Sequence, residues 1–417
     1  MTWKLDLQSY RKPQSVIPSC IGDLINNDNM ICRLLFIIYG HDHSDVRSVE
    51  VRPLTPGSDI TGNLSDCGRV SIIVKTYAGA KHEYSWFVKV QPQVHQNSEL
   101  LSKFNLFQNE IEFYQKIAPE LKEFVDEFNN SESQELEFDI PQLIHAEVDQ
   151  DRAIIILEDL VGAGYRQVKD EQGEKFLNKE KAVLAVESVA KIHAASYALQ
   201  IKNNIDLGHI HPNLETSGLL WSNDDMASRL SAMKDYYCDI LRESKKPDSP
   251  ILVERFQKTF DSTEKLKKMC AQRSSQDTNN KGIHCLQQGD FHFNNLMFKE
   301  EEDGSVKVKI VDWQMTYTGS VGGDITYLLM SSIAPELYEA EEDNIKERYF
   351  EKFNSILKSF IAERKRSLVE AMLEKEYNES LPLGFLFSCG NVMNGEREKN
   401  VSFAYQLCNE AASKNLI

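Results

Sequence analysis

No pair among the eight cysteines, at positions 20, 32, 67, 238, 270, 285, 389 and 408, stands in a CxxC spacing. That absence excludes a zinc ribbon or a thioredoxin-type motif, and thiols scattered singly fit buried groups of a reducing compartment. An excess of positive charge is also missing. The chain carries 47 basic against 64 acidic residues, a net charge of −17. This excludes a general nucleic-acid binder, which needs a basic face to neutralise phosphates. Long apolar runs are scarce as well. Leu34 to Tyr39, directly after Arg33, is the longest early one and is far too short for a bilayer. The opening MTWKLDLQSYRKPQ has no apolar h-region. We therefore expect a cytoplasmic protein with no membrane span. The Asn-x-Ser matches at Asn63, Asn129, Asn378 and Asn400 then carry no weight. With 20 Gly and 12 Pro among 417 residues and no internal repeat, collagen-like and low-complexity readings fall away too.

What is present is ordinary globular usage, 41% hydrophobic and 27% charged, at a length that suits two or three domain-sized units. Val70 to Val74 and Tyr84 to Val90 read as strands joined by a turn at Ala78 to Lys81. Leu101 to Phe128 reads as helix, with Pro119 marking a break. Ala153 to Leu157 has the unbroken apolar character of a strand covered on both faces. Beyond the Gly-containing linker Glu158 to Gly164 the pattern is helical: Asn178 to Leu199, with Asn178 as N-cap and a Glu187/Lys191 pair, then Ala227 to Leu241 and Ser249 to Cys270. A hairpin, Leu296 to Phe298 with Val306 to Val311, interrupts the helices, which resume near Asp324. The expected fold class is α+β. A strand-rich lobe with one helix spans 1–157, a hinge 158–164, and a helical lobe carrying the small hairpin 165–417.

The most informative stretch is Gln288-Gly-Asp-Phe-His-Phe-Asn-Asn-Leu-Met-Phe298 followed by Lys309-Ile-Val-Asp-Trp-Gln314. It sets Asp290, Asn295 and Asp312 on two short loops whose mouths the hairpin brings together. Phosphoryl transfer needs one carboxylate to orient an acceptor hydroxyl and take its proton, and oxygen ligands for Mg²⁺ bridging the ATP phosphates. Asp290 suits the first role, Asn295 and Asp312 the second. The bland alternative is a set of turn-forming Asp and Asn residues at strand ends. His41/His43 and His209/His211 form H-x-H pairs, but no Cys or carboxylate cluster completes a metal site with them.

Gly289-Asp290-x4-Asn295 with Val311-Asp312-Trp313-Gln314 resembles the catalytic and metal loops of protein-kinase-like phosphotransferases, in their choline-kinase and aminoglycoside-phosphotransferase branch. Five stretches, Phe107 to Tyr114, Ile156 to Leu160, Ala190 to Ser196, Gly289 to Phe298 and Asp324 to Leu329, resemble in order the ecdysteroid-kinase-like family of that branch. The resemblance implies a two-lobed protein-kinase-like fold and an ATP- and Mg²⁺-dependent transfer to a hydroxylated small molecule, an ecdysteroid or another apolar alcohol. It implies that Lys89 contacts the α/β-phosphates and pairs with Glu110, Glu112 being the reserve. Gly57 to Ser65, not a clean GxGxxG, would cover the phosphates through Gly62, Asn63 and Ser65. Glu158 and Leu160 would meet adenine. Asp324 would brace the catalytic loop, and His193 would be a packing residue. The chain departs from the pattern at Gln288, where His is usual, and at Trp313, where Phe is commoner. Since that His supports loop geometry, Gln288 is expected to be tolerated. The competing reading is a catalytically silent scaffold. Ala334-Pro335-Glu336 mimics a protein-kinase motif, but helix resumes at Gly322-Gly323-Asp324 and leaves only Trp313 to Val321 irregular, so the acceptor pocket is expected from the helical lobe, with Tyr236-Tyr237 and Phe385 to Phe387 read equally as pocket wall or as core.

Overall fold

The computed structural model describes residues 17, 20–25, 28–41, 44–54, 66–91, 103–128, 136–149, 152–168, 176–219, 224–262, 264, 266, 282–391 and 397–417. The chain divides into two compact units: Met1–Gln115 with Ile140–Arg166, and Lys116–Asp139 with Gln167–Ile417.

The first unit holds α1 (Ile21–Ile25), α2 (Asp28–Tyr39) and five strands: β1 (Val46–Leu54), β2 (Asp66–Thr76), β3 (Lys81–Val90), β4 (Leu143–Asp149) and β5 (Arg152–Glu158). The sheet is antiparallel throughout, in the order β1-β2-β3-β5-β4. Trp86, Val88 and Val90 of β3 share a core with Ile154 and Ile156 of β5 and with Leu24, Leu34 and Leu35 of the two helices. The helices α1 and α2 thus cover one face of the sheet. Strand side chains alternate in direction, so Lys89 faces the other side, where α3 (Leu106–Glu112) packs against β4 and β5.

The helix bearing α3 does not break at Pro119. It widens into a π turn at Phe113–Ile117 and resumes as α4 (Ala118–Phe128). Proline has no N–H to give to the carbonyl four residues back, and the widened turn just ahead of it absorbs that missing bond.

The units also divide elsewhere than the sequence suggested. Glu158 to Gly164 stays with the first unit because Asp159 is clamped there. It accepts both Arg69 Nε and Nη2 at 2.7 Å, the Gly162 N–H at 3.0 Å and the Ser85 hydroxyl. Residues 116–139 belong to the second unit, where Asp139 receives Ser188 Oγ at 2.7 Å and Lys191 Nζ at 2.6 Å. Lys191 is therefore not paired with Glu187, which binds Arg348 instead.

In the second unit α5 (Lys179–Asn203) starts at Asn178, whose side chain caps Lys181 N at 2.9 Å. By length and composition it is, among the described residues, the one helix able to cross a membrane, but 72% of its most apolar window is buried in the protein, as in a core helix. After α6 (Leu207–Ile210), α7 (Pro212–Leu219), α8 (Asp224–Glu243) and α9 (Ser249–Phe260) come four short strands: β6 (His284–Gln287), β7 (Leu296–Glu300), β8 (Val306–Ile310) and β9 (Tyr317–Ser320). β7 pairs with β8 as expected, and β6 with β9. The chain ends in α10 (Gly323–Ser332), α11 (Pro335–Leu357), α12 (Glu363–Asn391) and α13 (Arg397–Ser413). A Cβ on Gly384 of α12 would come within 2.7 Å of the Thr326 backbone, so glycine is what lets α12 approach α10 this closely.

One carboxyl in this core sets a pH dependence. Burial pushes Glu376 of α12 above its ordinary value of 4.5, against the lowering effect of the Ser320 hydroxyl, which it accepts at 2.9 Å. A carboxyl raised in the folded state binds its proton more tightly there than in the unfolded chain. Its stabilisation is complete below the unfolded value and is lost as pH rises through the folded one. Glu376→Gln removes that loss. The melting temperature of the variant, relative to wild type, is expected to climb as pH rises from about 4 to neutrality. An offset that stays constant with pH would refute the assignment.

Candidate active site

The candidate catalytic loop begins where β6 ends. Gly289 has φ +90°, and a Cβ there would fall 2.0 Å from the Met315 carbonyl oxygen, so no other residue fits. The fully buried Asp324 side chain, at the start of α10, accepts the Gln288 N–H at 2.6 Å and the Gly289 N–H at 3.0 Å. His193 Nε2 lies 3.2 Å from the same carboxylate, and its Nδ1 2.7 Å from Tyr349 Oη. Asp324 is therefore a brace under the loop, and His193 a packing residue tied to it.

Asp290 emerges from this support with its side chain 29% exposed. Asn295 Nδ2 donates to its Oδ2 at 3.1 Å, Tyr327 Oη to its Oδ1 at 3.2 Å, and His292 Nε2 stands 3.5 Å from Oδ2. Burial pushes the carboxyl up, but the charge and hydrogen bond of His292, with Asn295 and Tyr327, outweigh it and hold Asp290 below the ordinary carboxylate range. It is an anion at neutral pH and a hydrogen-bond acceptor.

The candidate metal loop follows β8. Asp312 sits at φ 61°, ψ 64°, a left-handed backbone that a non-glycine residue adopts at a cost. Gln288 holds it there. Its Nε2 donates to the carbonyls of Val311 at 3.0 Å and Asp312 at 2.8 Å, while its Oε1 accepts the Asp290 N–H at 2.7 Å. One side chain thus ties the two loops together. The glutamine that stands in place of histidine thus supplies a donor to the Val311 and Asp312 carbonyls. The β7–β8 register sets Leu296 opposite Ile310, and the Val311 N–H meets the Asn295 carbonyl at 3.0 Å, which brings Asn295 and Asp312 to one end of the hairpin. The Asn295 amide nitrogen is used on Asp290, so its carbonyl oxygen is the atom suited to a cation. Among the described residues no group of three or more His, Cys, Asp or Glu side chains could hold a metal. That donor set fits Mg²⁺, which is held by one or two protein oxygens together with substrate phosphates rather than by an all-protein cage.

Lys89 and Glu110 lie in the first unit. Lys89 Nζ meets Glu110 Oε2 at 2.5 Å, with the two side chains 7% and 0% exposed. Glu112 is buried as well, but the partner of Lys89 at this distance is Glu110. Glu158 and Leu160 belong to the same unit. The Glu158 N–H is given to Gln142 O at 3.0 Å, the Leu160 N–H to Glu158 O at 3.1 Å, and Leu160 O accepts Tyr165 N at 2.9 Å. Adenine contacts there would fall to the second lone pairs of the carbonyls. Gly62, Asn63 and Ser65 lie outside the described residues.

Two site residues escaped the sequence reading. His292 and Tyr327 both touch Asp290, yet neither has a motif spacing of its own, and Tyr327 looked like one more apolar-helix residue. The signal was present only as Tyr327 lying one turn after Asp324. The aromatic stretches read as pocket wall or as core are largely core. Tyr237 stacks on Phe256 at 4.9 Å and donates to Cys389 O at 2.9 Å, and Phe385 is fully buried. Phe387, by contrast, reaches Tyr327, with ring centroids 5.6 Å apart.

No curated protein matches the chain. Among solved structures, a Plasmodium vivax ethanolamine kinase aligns with 93% of this chain and 89% of its own, at 12% identity and a TM-score of 0.38. A putative fructosamine-3-kinase from Haemophilus somnus covers 91% and 96%, at 12% identity and 0.35. The GDP complex of an aminoglycoside 2'-phosphotransferase covers 93% and 99%, at 11% identity and 0.37. A family model matches residues 62–361, well over half of the chain, and the chain belongs to the ecdysteroid kinase-like family.

Proposed function

We propose that the protein is an ATP- and Mg²⁺-dependent kinase that transfers the γ-phosphoryl group to a hydroxyl of a small molecule. The observation that carries this reading is the Gln288 bridge, which fixes Asp290 and the strained Asp312 at once. Asn295 and Asp312 would hold Mg²⁺, which when bound neutralises charge on the nucleotide phosphates. Lys89, kept in place by Glu110, would meet the α/β-phosphates. Asp290 would accept the hydrogen bond of the acceptor O–H. As the oxygen–phosphorus bond forms and the β,γ-bridging bond breaks to release ADP, the proton passes to its carboxylate.

A small-molecule acceptor fits the chain after Asp312. It runs at once through a short helical turn, Trp313–Met315, into β9 and then α10, leaving no long loop on which a peptide would dock. An apolar alcohol such as an ecdysteroid is the acceptor class we favour. A cavity of about 100 Å³ walled by Leu329, Met330, Ile333, Phe403 and Leu407 is smaller than the ~150 Å³ that accommodates benzene. A steroid skeleton would instead lie at the exposed side of Asp290.

The test is a thermal-shift titration with ATP, with and without Mg²⁺, followed by turnover on hydroxylated steroids, sterol-like xenobiotics and amino alcohols. Binding with no turnover on any of them would favour the silent-scaffold reading. For the metal, Asp312→Ala and Asn295→Ala are each expected to remove the Mg²⁺-dependent part of ATP affinity in calorimetry. Unchanged affinity and unchanged metal dependence in both variants would sink the metal assignment.

A further inference from the structure

We infer that Tyr327 is a positioning residue for this phosphotransfer, fixing the carboxylate of Asp290 so that its Oδ1 is the oxygen presented to the acceptor hydroxyl. The inference rests on the kinase reading and adds a residue and a direction to it.

The argument is a count of hydrogen bonds. An ionised carboxylate offers about four acceptor directions over its two oxygens. Oδ2 of Asp290 is occupied from one side by Asn295 Nδ2 at 3.1 Å and approached by His292 Nε2 at 3.5 Å. Oδ1 receives Tyr327 Oη at 3.2 Å. No other donor to Oδ1 is found among the described residues, so a direction stays open there, on a side chain that is partly exposed. An acceptor O–H would therefore share Oδ1 with the Tyr327 hydroxyl.

Tyr327 is held firmly enough to do this. Its ring lies between His292, with centroids 5.7 Å apart, and Phe387, at 5.6 Å. It is 5% exposed, so it cannot swing away without breaking that packing. The helix that carries it is bolted to the catalytic loop at both ends: Asp324 takes two loop N–H groups, and Ser332 Oγ accepts the Phe293 N–H at 2.9 Å. Tyr327 thus meets Asp290 from a helix fixed to the same loop, and its hydroxyl selects one carboxylate rotamer.

Tyr327→Phe keeps the ring and removes only the donor. The expected result is a kcat for ADP release, measured with the alcohol panel above, lowered about tenfold or more, the usual cost of a donor taken from a charged acceptor. The KM for ATP should stay within about threefold and the melting temperature close to wild type, since the packing survives. In the Asp290→Asn background the same change should cost nothing further, because the group it positions has gone. A single variant with wild-type kcat overturns the inference while leaving the kinase reading intact. So does an equal loss in both backgrounds. A wild type that binds ATP but turns over nothing overturns the kinase reading, and this inference with it.

Discussion

Asp290→Asn is expected to lower turnover by ~10²–10⁴-fold, the range for loss of a positioned base, while MgATP affinity stays nearly unchanged. The two side chains have almost the same shape, so Gly289 and the brace beneath it are undisturbed. What changes is chemistry. The amide cannot take a proton from the acceptor, and its NH₂ has to face either the Tyr327 hydroxyl or the Asn295 amide, both of which donate to the carboxylate in the wild type. The nucleotide loses no direct partner, because the residues assigned to it are Lys89, Asn295 and Asp312. Single-turnover kinetics together with ATP calorimetry separate the two effects. Turnover within about threefold of wild type, far short of that range, would discard Asp290 as the base.

The candidate catalytic loop was legible because its residues are close together along the chain. Asp290, Asn295 and Asp312 sit at fixed offsets from a hairpin whose alternating Val306, Val308 and Ile310 announce it, and the strands form in that register. Lys89 was only half legible. The Val88-Lys89-Val90 pattern says that lysine faces away from the valines, but not whether that face is wet. α3, about twenty residues on, covers it and supplies Glu110, a tertiary fact with no local trace. The residues before 60 were illegible for the opposite reason. Among the described ones, α1 and α2 lay Leu24, Leu34 and Leu35 against the sheet, a packing role that leaves no motif.

The aromatic stretches could be read two ways. Tyr237 and Phe385 have the composition of a pocket wall, yet core and pocket use the same side chains. What told them apart was the Cys389 carbonyl waiting for the Tyr237 hydroxyl. Gln288 was read as a tolerated departure from histidine; in the structure its amide offers both a donor and an acceptor, and the loop pair uses both. Such a role depends on where two carbonyls of the other loop lie, which no spacing reveals.

Asp324→Asn is expected to be nearly as damaging to turnover and, unlike Asp290→Asn, to destabilise the protein. Asp324 Oδ1 accepts the Gly289 N–H and Oδ2 accepts the Gln288 N–H, with His193 on the same oxygen, all in a fully buried site. An amide has one oxygen. Whichever way it turns, its NH₂ points at a backbone N–H, donor against donor, and that N–H loses its acceptor where water cannot reach. Leaving a buried group uncompensated costs about 3 kcal/mol, a fall of roughly 5 °C or more in melting temperature for a unit of this size. The loop that the carboxylate anchors would shift, and a displacement of about 1 Å at a reacting group can cost ~10²-fold in rate. Calorimetric melting and ATP turnover on the same preparation test both arms. A melting temperature and a kcat both equal to wild type would show that the catalytic loop holds its shape without this brace.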